Sequence, residues 1–167
     1  VFANIAGNGF YGNYFNQAAA TIAFAANQIT AVGNIGFQVN TRQPLAILFD
    51  GNVVRNAASY GFYLGGNGPT LGTIDVTARG NHFIDGGLTA LQFDTDGMLK
   101  LAVGDLPAAI KTAEENENRS TVISGNAGYG IRLSAISGAA VSIQGVAFEH
   151  VLWDAISTDL AGGTAKI

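Results

Sequence analysis

Three fifteen-residue stretches of the chain lie under one another without a gap: DGNVVRNAASYGFYL (50–64), RGNHFIDGGLTALQF (79–93) and QGVAFEHVLWDAIST (144–158). Their second position is Gly51, Gly80 and Gly145, and their fifth is Val54, Phe83 and Phe148. Eight residues later comes another apolar column, Phe62, Leu91 and Ile156, followed two residues on by Leu64, Phe93 and Thr158. An internal repeat constrains a fold more than local propensity does, because every copy must follow the same path and bury the same face. Taking the Gly-Asn pairs at 12, 33, 51, 80 and 125 as unit starts, with Gly145-Val146 as a degenerate sixth, the steps between starts are 21, 18, 29, 45 and 20 residues. This spacing predicts a unit of about twenty residues with insertions in two places.

A period of that size with short strands in each unit points to a β-solenoid, in which a coil buries its apolar face only by stacking on the next. Gly and Asn fit such a path because both tolerate the left-handed backbone that a sharp corner needs. An Asn at the same corner of successive coils can also donate an amide to one neighbour and accept from the other, forming a ladder. Two alternatives use similar residues. Gly-Asn marks hairpins in antiparallel sandwiches, and membrane barrels alternate apolar residues along strands of about nine to eleven residues. The register of three gapless copies argues against the first, and the shortness of the strands against the second.

Composition narrows the partners. With 48% hydrophobic and 12% charged residues in 167, the chain has enough apolar surface for one domain with a sizeable core. Twenty-three glycines against three prolines suit an all-β fold with many tight turns. Mean hydropathy is +0.26, yet the longest largely apolar run, Ala18 to Ala26, is too short to span a bilayer as a helix. The net charge is −4 and the eight Lys and Arg are scattered singly, which excludes a basic stripe for nucleic acid. Without cysteine there are no disulfides or thiolate metal sites, and nothing in the sequence implies a cofactor. Neither VFANIAGNGFYG at the start nor DLAGGTAKI at the end reads as a cap, so the expectation is a segment that stacks on further coils or on another chain.

The Gly-Asn-x-apolar corner followed by a Gly-apolar-x-apolar strand resembles the right-handed parallel β-helix, or pectin-lyase-like, superfamily over roughly residues 5 to 160. The resemblance implies one all-β domain across 1–167, a right-handed parallel β-helix located outside the cell or on its surface, usually on or near polysaccharide. Lyases, hydrolases, tailspikes and adhesins share the architecture, so it selects no chemistry. A non-catalytic structural or adhesive module is the leading expectation, and a polysaccharide lyase or glycoside hydrolase the alternative.

DLPAAIKTAEENENR (105–119) interrupts the repeat, and its Asp105, Pro107 and alanines predict a short helix or ordered loop projecting from one coil. LGGNGPTLG (64–72) is a second expansion, expected at the same edge.

Alternation along the strand after each corner puts Tyr63, Gln92, Arg132 and Ser157 in one outward column, and Gly65, Asp94, Ser134 and Asp159 in the next. Asp94 and Asp159 would then stand two coils apart, about 9–10 Å, with Arg132 between them. That separation suits an inverting glycosidase, and the same residues equally suit ordinary surface polarity. Tyr63, Gln92, Arg132 and Trp153 are the candidate glycan-binding residues. Asp94-Thr95-Asp96-Gly97 resembles the Asn-Thr-Asp-Gly of polygalacturonases, which implies an acid–base role for Asp96. The Asp at 94 departs from that motif, and no Asp-Asp pair, Gly-His-Gly or Arg-x-Lys accompanies it. His150, with Glu149 and Asp154 nearby, falls where the repeat places Asn56 and Asp85, an outward polar corner, and His82 stands without a metal-ligand partner.

Overall fold

The computed structural model describes residues 1–15, 20–68, 72–104, 121–135 and 137–166. Every element among them is a strand, and the chain passes six times around three parallel sheets. The first rung is β1 (Phe2–Ile5), β2 (Phe10–Tyr14) and β3 (Ala20–Ala25), and the second is β4 (Gln28–Val32), β5 (Phe37–Thr41) and β6 (Leu45–Asp50). The third is β7 (Val53–Ala57), β8 (Tyr60–Gly66) and β9 (Thr73–Arg79), and the fourth β10 (His82–Ile84), β11 (Thr89–Thr95) and β12 (Met98–Gly104). After the insertion come β13 (Thr121–Ser124), β14 (Ile131–Ala135) and β15 (Ala139–Gln144), then β16 (Val146–Glu149), β17 (Ile156–Leu160) and β18 (Gly163–Lys166). The first strand of each rung builds sheet A, the second sheet B and the third sheet C.

The fold is therefore a parallel β-solenoid. All the pairings are parallel, whereas a hairpin sandwich and a membrane barrel both need antiparallel neighbours. No helix among the described residues is long and apolar enough to cross a membrane. The expected helix at 105–119 lies outside the described residues.

The columns predicted from the repeat are present. Val54, Phe83, Ile123 and Phe148 pair in sequence down sheet A. Phe62, Leu91, Ile131 and Ile156 do so down sheet B, with Leu64, Phe93, Leu133 and Thr158 beside them. Phenylalanines fill the lumen of the first four rungs. Phe37 meets Phe49 edge-on at 4.8 Å, Phe49 tilts onto Phe62 at 5.0 Å and stacks on Phe83 at 6.0 Å, and Phe62 touches Phe93 at 5.7 Å. Such ring pairs add to the burial of area that drives stacking of the coils.

The unit length differs from expectation. Paired residues down sheet A, Phe2 to Ile29, Gln28 to Val53, Val53 to His82, and Val122 to Ala147, are separated by 27, 25, 29 and 25 residues, and His82 to Val122 by 40 across the insertion. The Gly-Asn pairs misled because they occupy different places. Gly51 and Gly80 turn the corner from sheet C to sheet A with φ of 62° and 59°. Gly33-Asn34 and Gly125-Asn126 lie between sheets A and B, and Gly12 is inside β2, paired with Val39. The two expansions also leave from different corners: 67–72 joins sheet B to sheet C, while 105–120 joins C to A.

The Asn ladder forms at the C-to-A corner. Asn27 Nδ2 donates to Asn52 Oδ1 at 2.9 Å, and Asn52 Nδ2 donates to Asn81 Oδ1 at 3.0 Å and to the Phe24 carbonyl at 2.9 Å. Asn81 Nδ2 in turn donates to the Phe49 carbonyl at 2.7 Å. Asn52 and Asn81 are fully buried, so their amides replace water for backbone groups that the corner leaves unpaired. At the A-to-B corner a left-handed residue recurs in every rung, Asn4, Ala31, Asn56, Asp85, Gly125 and His150, with φ from 51° to 68°.

Candidate functional site

The outward rows of sheet B carry the densest polar and aromatic chemistry among the described residues. One row runs Tyr11, Gln38, Tyr63, Gln92, Arg132, Ser157, and the next Asn13, Asn40, Gly65, Asp94, Ser134, Asp159. The last four residues of each row are the columns the sequence predicted, and Tyr11, Gln38, Asn13 and Asn40 extend them onto the first two rungs. Inward neighbours such as Phe62, Leu91 and Ile131 anchor the strands, so the outward side chains stand on a rigid floor.

Within the rows, side chains lean along their strands onto the residue two ahead. Asn13 Nδ2 donates to the Tyr11 hydroxyl at 3.0 Å, Asn40 Nδ2 to Asn13 Oδ1 at 3.0 Å, and Gln92 Nε2 to Asp94 Oδ1 at 2.6 Å. Tyr63 leans over Gly65, where a Cβ would sit 3.1 Å from its ring and 2.8 Å from Asn40 Oδ1. Burial, together with the nearby Asp94 charge and the Tyr60 phenol, pushes the Tyr63 hydroxyl above the usual tyrosine range, and Asp94 also acts on it as a hydrogen-bond acceptor. Gln92 is in the outward column as expected but only 3% exposed, because the flanking rungs cover it. Its Oε1 is buried with no hydrogen-bond partner.

Two aromatic groups flank this centre. Tyr60 and Tyr63 pack at 5.3 Å on the third rung. On the fifth and sixth, Tyr129 meets Trp153 edge-on at 5.1 Å, and the Arg132 guanidinium lies 5.3 Å from the Tyr129 ring centre. Trp153 is 56% exposed, which decides between burial and display in favour of display. With exposed Leu88 and Leu152 it makes an apolar ridge at the A-to-B corner. Tyr60 and Tyr129 were missed from the sequence. A usable signal existed in the Tyr-Gly-apolar triplets Tyr60-Gly61-Phe62 and Tyr129-Gly130-Ile131, which occupy the same register.

The remaining candidates are dispersed. Asp94 and Asp159 are two rungs apart in one row with Ser134 between them, and Arg132 occupies the neighbouring row. Asp96 sits at the B-to-C corner, where its Oδ2 accepts from the Gly68 amide at 3.1 Å and its carbonyl accepts from Ser137 Oγ at 2.6 Å. Its visible partners are those of a corner. His150 is exposed at the A-to-B corner with φ of 51°, as the repeat implied. Among the described residues no three His, Cys, Asp or Glu side chains gather to hold a metal ion.

Three open depressions lie on sheet C instead, all bordered by Asp75. One of about 440 Å³ is lined by Thr21, Ala46, Leu48, Thr77 and Arg79 as well. Their walls are mainly small side chains, and Arg79 is held by Asp50 at 2.8 Å. These depressions carry Asp75 and Lys100, whereas the aromatic side chains among the described outward rows are on sheet B. Comparison of the chain with protein-family models, with curated proteins and with solved structures returned no match.

Proposed function

We propose that the chain is a non-catalytic, carbohydrate-binding β-helix module of the right-handed, pectin-lyase-like kind, part of a protein displayed outside the cell or on its surface. The observation that carries this reading is the pair of outward rows on sheet B, where phenols, amides, two carboxylates and a guanidinium are set out in register, rung by rung. Rungs are about 4.8 Å apart, close to the length of one sugar unit in an extended polysaccharide. A glycan lying along the solenoid axis would meet one polar side chain per sugar and an aromatic group at Tyr63 and again at Tyr129 and Trp153. Aromatic rings with a polar handle suit sugars because they supply an apolar face and a hydrogen bond together. The extracellular location follows from the resemblance of the repeats, and fractionation of producing cells with an antibody to the chain tests it.

The register of Asp94 and Asp159 favours a second reading, a glycoside hydrolase with two carboxylates about 9–10 Å apart. Asp94 accepts from Gln92 Nε2 at 2.6 Å, while Asp159 stands two rungs away with Ser134 between them in the row, which supports the binding role over a paired acid and base. A panel of polysaccharides separates the two. Binding without new reducing ends or unsaturated uronate absorbance is expected. Cleavage that disappears in both Asp94→Asn and Asp159→Asn, with folding intact, would establish the enzyme instead.

A further inference from the structure

We infer that Tyr63, Gln92 and Asp94 form a subsite for one uncharged hexopyranose ring, an inference that rests on the polysaccharide-binding reading above. Gly65 is the only position in its row without a side chain, and Tyr63 fills the space, its ring beside the backbone and braced by Tyr60. A ring drawn down in this way is a stacking platform for the C–H face of a pyranose. Next to it on the following rung stands Asp94, half-buried, with one oxygen held by Gln92 Nε2 at 2.6 Å and its charge near enough to help raise the Tyr63 phenol.

A carboxylate has about four lone-pair sites. Gln92 fixes its orientation and leaves acceptor capacity on the solvent side. Sugar hydroxyls can donate to that capacity, and hydrogen bonds to a charged acceptor are the stronger kind. A uronate or sulfate placed there would meet like charge. Arg132, the nearest cation in register, is stacked on Tyr129 rather than paired with Asp94, and the ion pair present among the described residues is Asp50–Arg79. The orphaned Gln92 Oε1 is the independent mark of an incomplete site. A buried acceptor without a donor is unusual in a folded protein, and here it belongs to the side chain that orients the carboxylate. A ligand hydroxyl arriving as Tyr63 or Arg132 shifts would supply the missing donor.

The test is calorimetric titration of the chain with cellohexaose, mannohexaose and a galacturonic-acid hexamer. At least one neutral hexamer should bind about tenfold or more tightly than the acidic one, roughly the discrimination that one charged contact supplies. Tyr63→Ala should weaken neutral binding by about tenfold, Tyr63→Phe by less, and Asp94→Asn should bring the acidic hexamer to within about threefold of the neutral. Lys100→Ala on sheet C should change nothing, and circular dichroism confirms that each variant is folded. Neutral binding unaltered in Tyr63→Ala, an acidic hexamer that stays about tenfold weaker in Asp94→Asn, or a wild-type preference for the acidic hexamer overturns the subsite while polysaccharide binding stands. No binding to any of the three or to the wider panel overturns both.

Discussion

Replacing Asn52 by Ala removes the middle of the corner ladder. In the wild type its Oδ1 accepts from the Asn27 backbone amide at 3.0 Å and from Asn27 Nδ2 at 2.9 Å, while its Nδ2 serves the Phe24 carbonyl. Its own backbone amide still donates to Asn81 Oδ1 at 2.9 Å in the variant, so Asn81 keeps a partner. Two backbone groups lose theirs, the Asn27 N–H and the Phe24 carbonyl. At about 1–3 kcal/mol for each buried group left unpaired, with the Asn27 side partly open to water, the expected loss is about 3–5 kcal/mol. Asn27→Ala, at the exposed end of the ladder, should cost about 1 kcal/mol. Urea unfolding followed by circular dichroism measures both. Asn52→Asp adds a second readout: its carboxyl would be fully buried, with one oxygen facing Asn81 Oδ1 and the Phe24 carbonyl, so burial favours the protonated acid. The folded variant then binds more protons than the unfolded chain, and its stability should fall as pH rises through the carboxyl titration. Equal costs for Asn52→Ala and Asn27→Ala, or a pH-independent Asn52→Asp, would refute the ladder as a cooperative structural element.

Other outcomes follow from the packing and the site. Phe83→Ala empties a lumen position that is 1% exposed and stacked on Phe49, and should cost about 3–5 kcal/mol in the same urea assay. Gly61→Val should cost at least about 2 kcal/mol, because a Cβ there lies 2.7 Å from the Ala90 carbonyl oxygen and collides with the Phe83 ring. Tyr63 should titrate after the exposed tyrosines when tyrosinate absorbance is followed. Asp94→Asn should lower its pKa only in part, since burial is the larger cause. The neutral phenol is the form the fold prefers, so this group's contribution to stability is intact below the ordinary tyrosine pKa and is lost as pH rises through the elevated one.

The lumen columns were legible because period-two alternation and a gapless repeat fix which residues share a face, and Val54, Phe83 and Phe148 needed nothing else. The length of a rung was not legible. Gly and Asn suit any corner that needs a left-handed residue, each rung turns several corners, and the sequence does not say which pair marks which. The A-to-B corner was legible only in part: the repeat aligned His150 with Asn56 and Asp85 at a polar corner, whereas Asn4 and Ala31 adopt the same φ outside that alignment. The better ruler is a small-then-large pair, Gly9-Phe10, Gly36-Phe37, Gly61-Phe62, Ala90-Leu91, Gly130-Ile131 and Ala155-Ile156, which recurs in register. Its cause is steric: at Gly36 and Gly61 the inward side chains of sheet A, Val54 and Phe83, occupy the space a Cβ would take. In the site, the order of Tyr63, Gln92 and Arg132 followed from register, whereas the near-complete burial of Gln92 comes from side-chain packing that no spacing reports.

A solenoid repeats its backbone faithfully and its outward chemistry only as far as the sequence repeats. Down the lumen the columns stay largely apolar, and the polar residues admitted there, such as Thr41 and Thr95, are small. Down sheet B the outward row changes at each rung, from amide to phenol to amide to guanidinium. A surface meant only for regular stacking would keep one residue type in ladder form, as the corner asparagines do. The variation around Tyr63, Gln92, Asp94 and Arg132 instead gives neighbouring rungs distinct hydrogen-bonding roles, at a spacing the backbone holds constant. That combination, a fixed ruler carrying unlike groups, favours one localised subsite with its own sugar preference over a uniform array along the whole face.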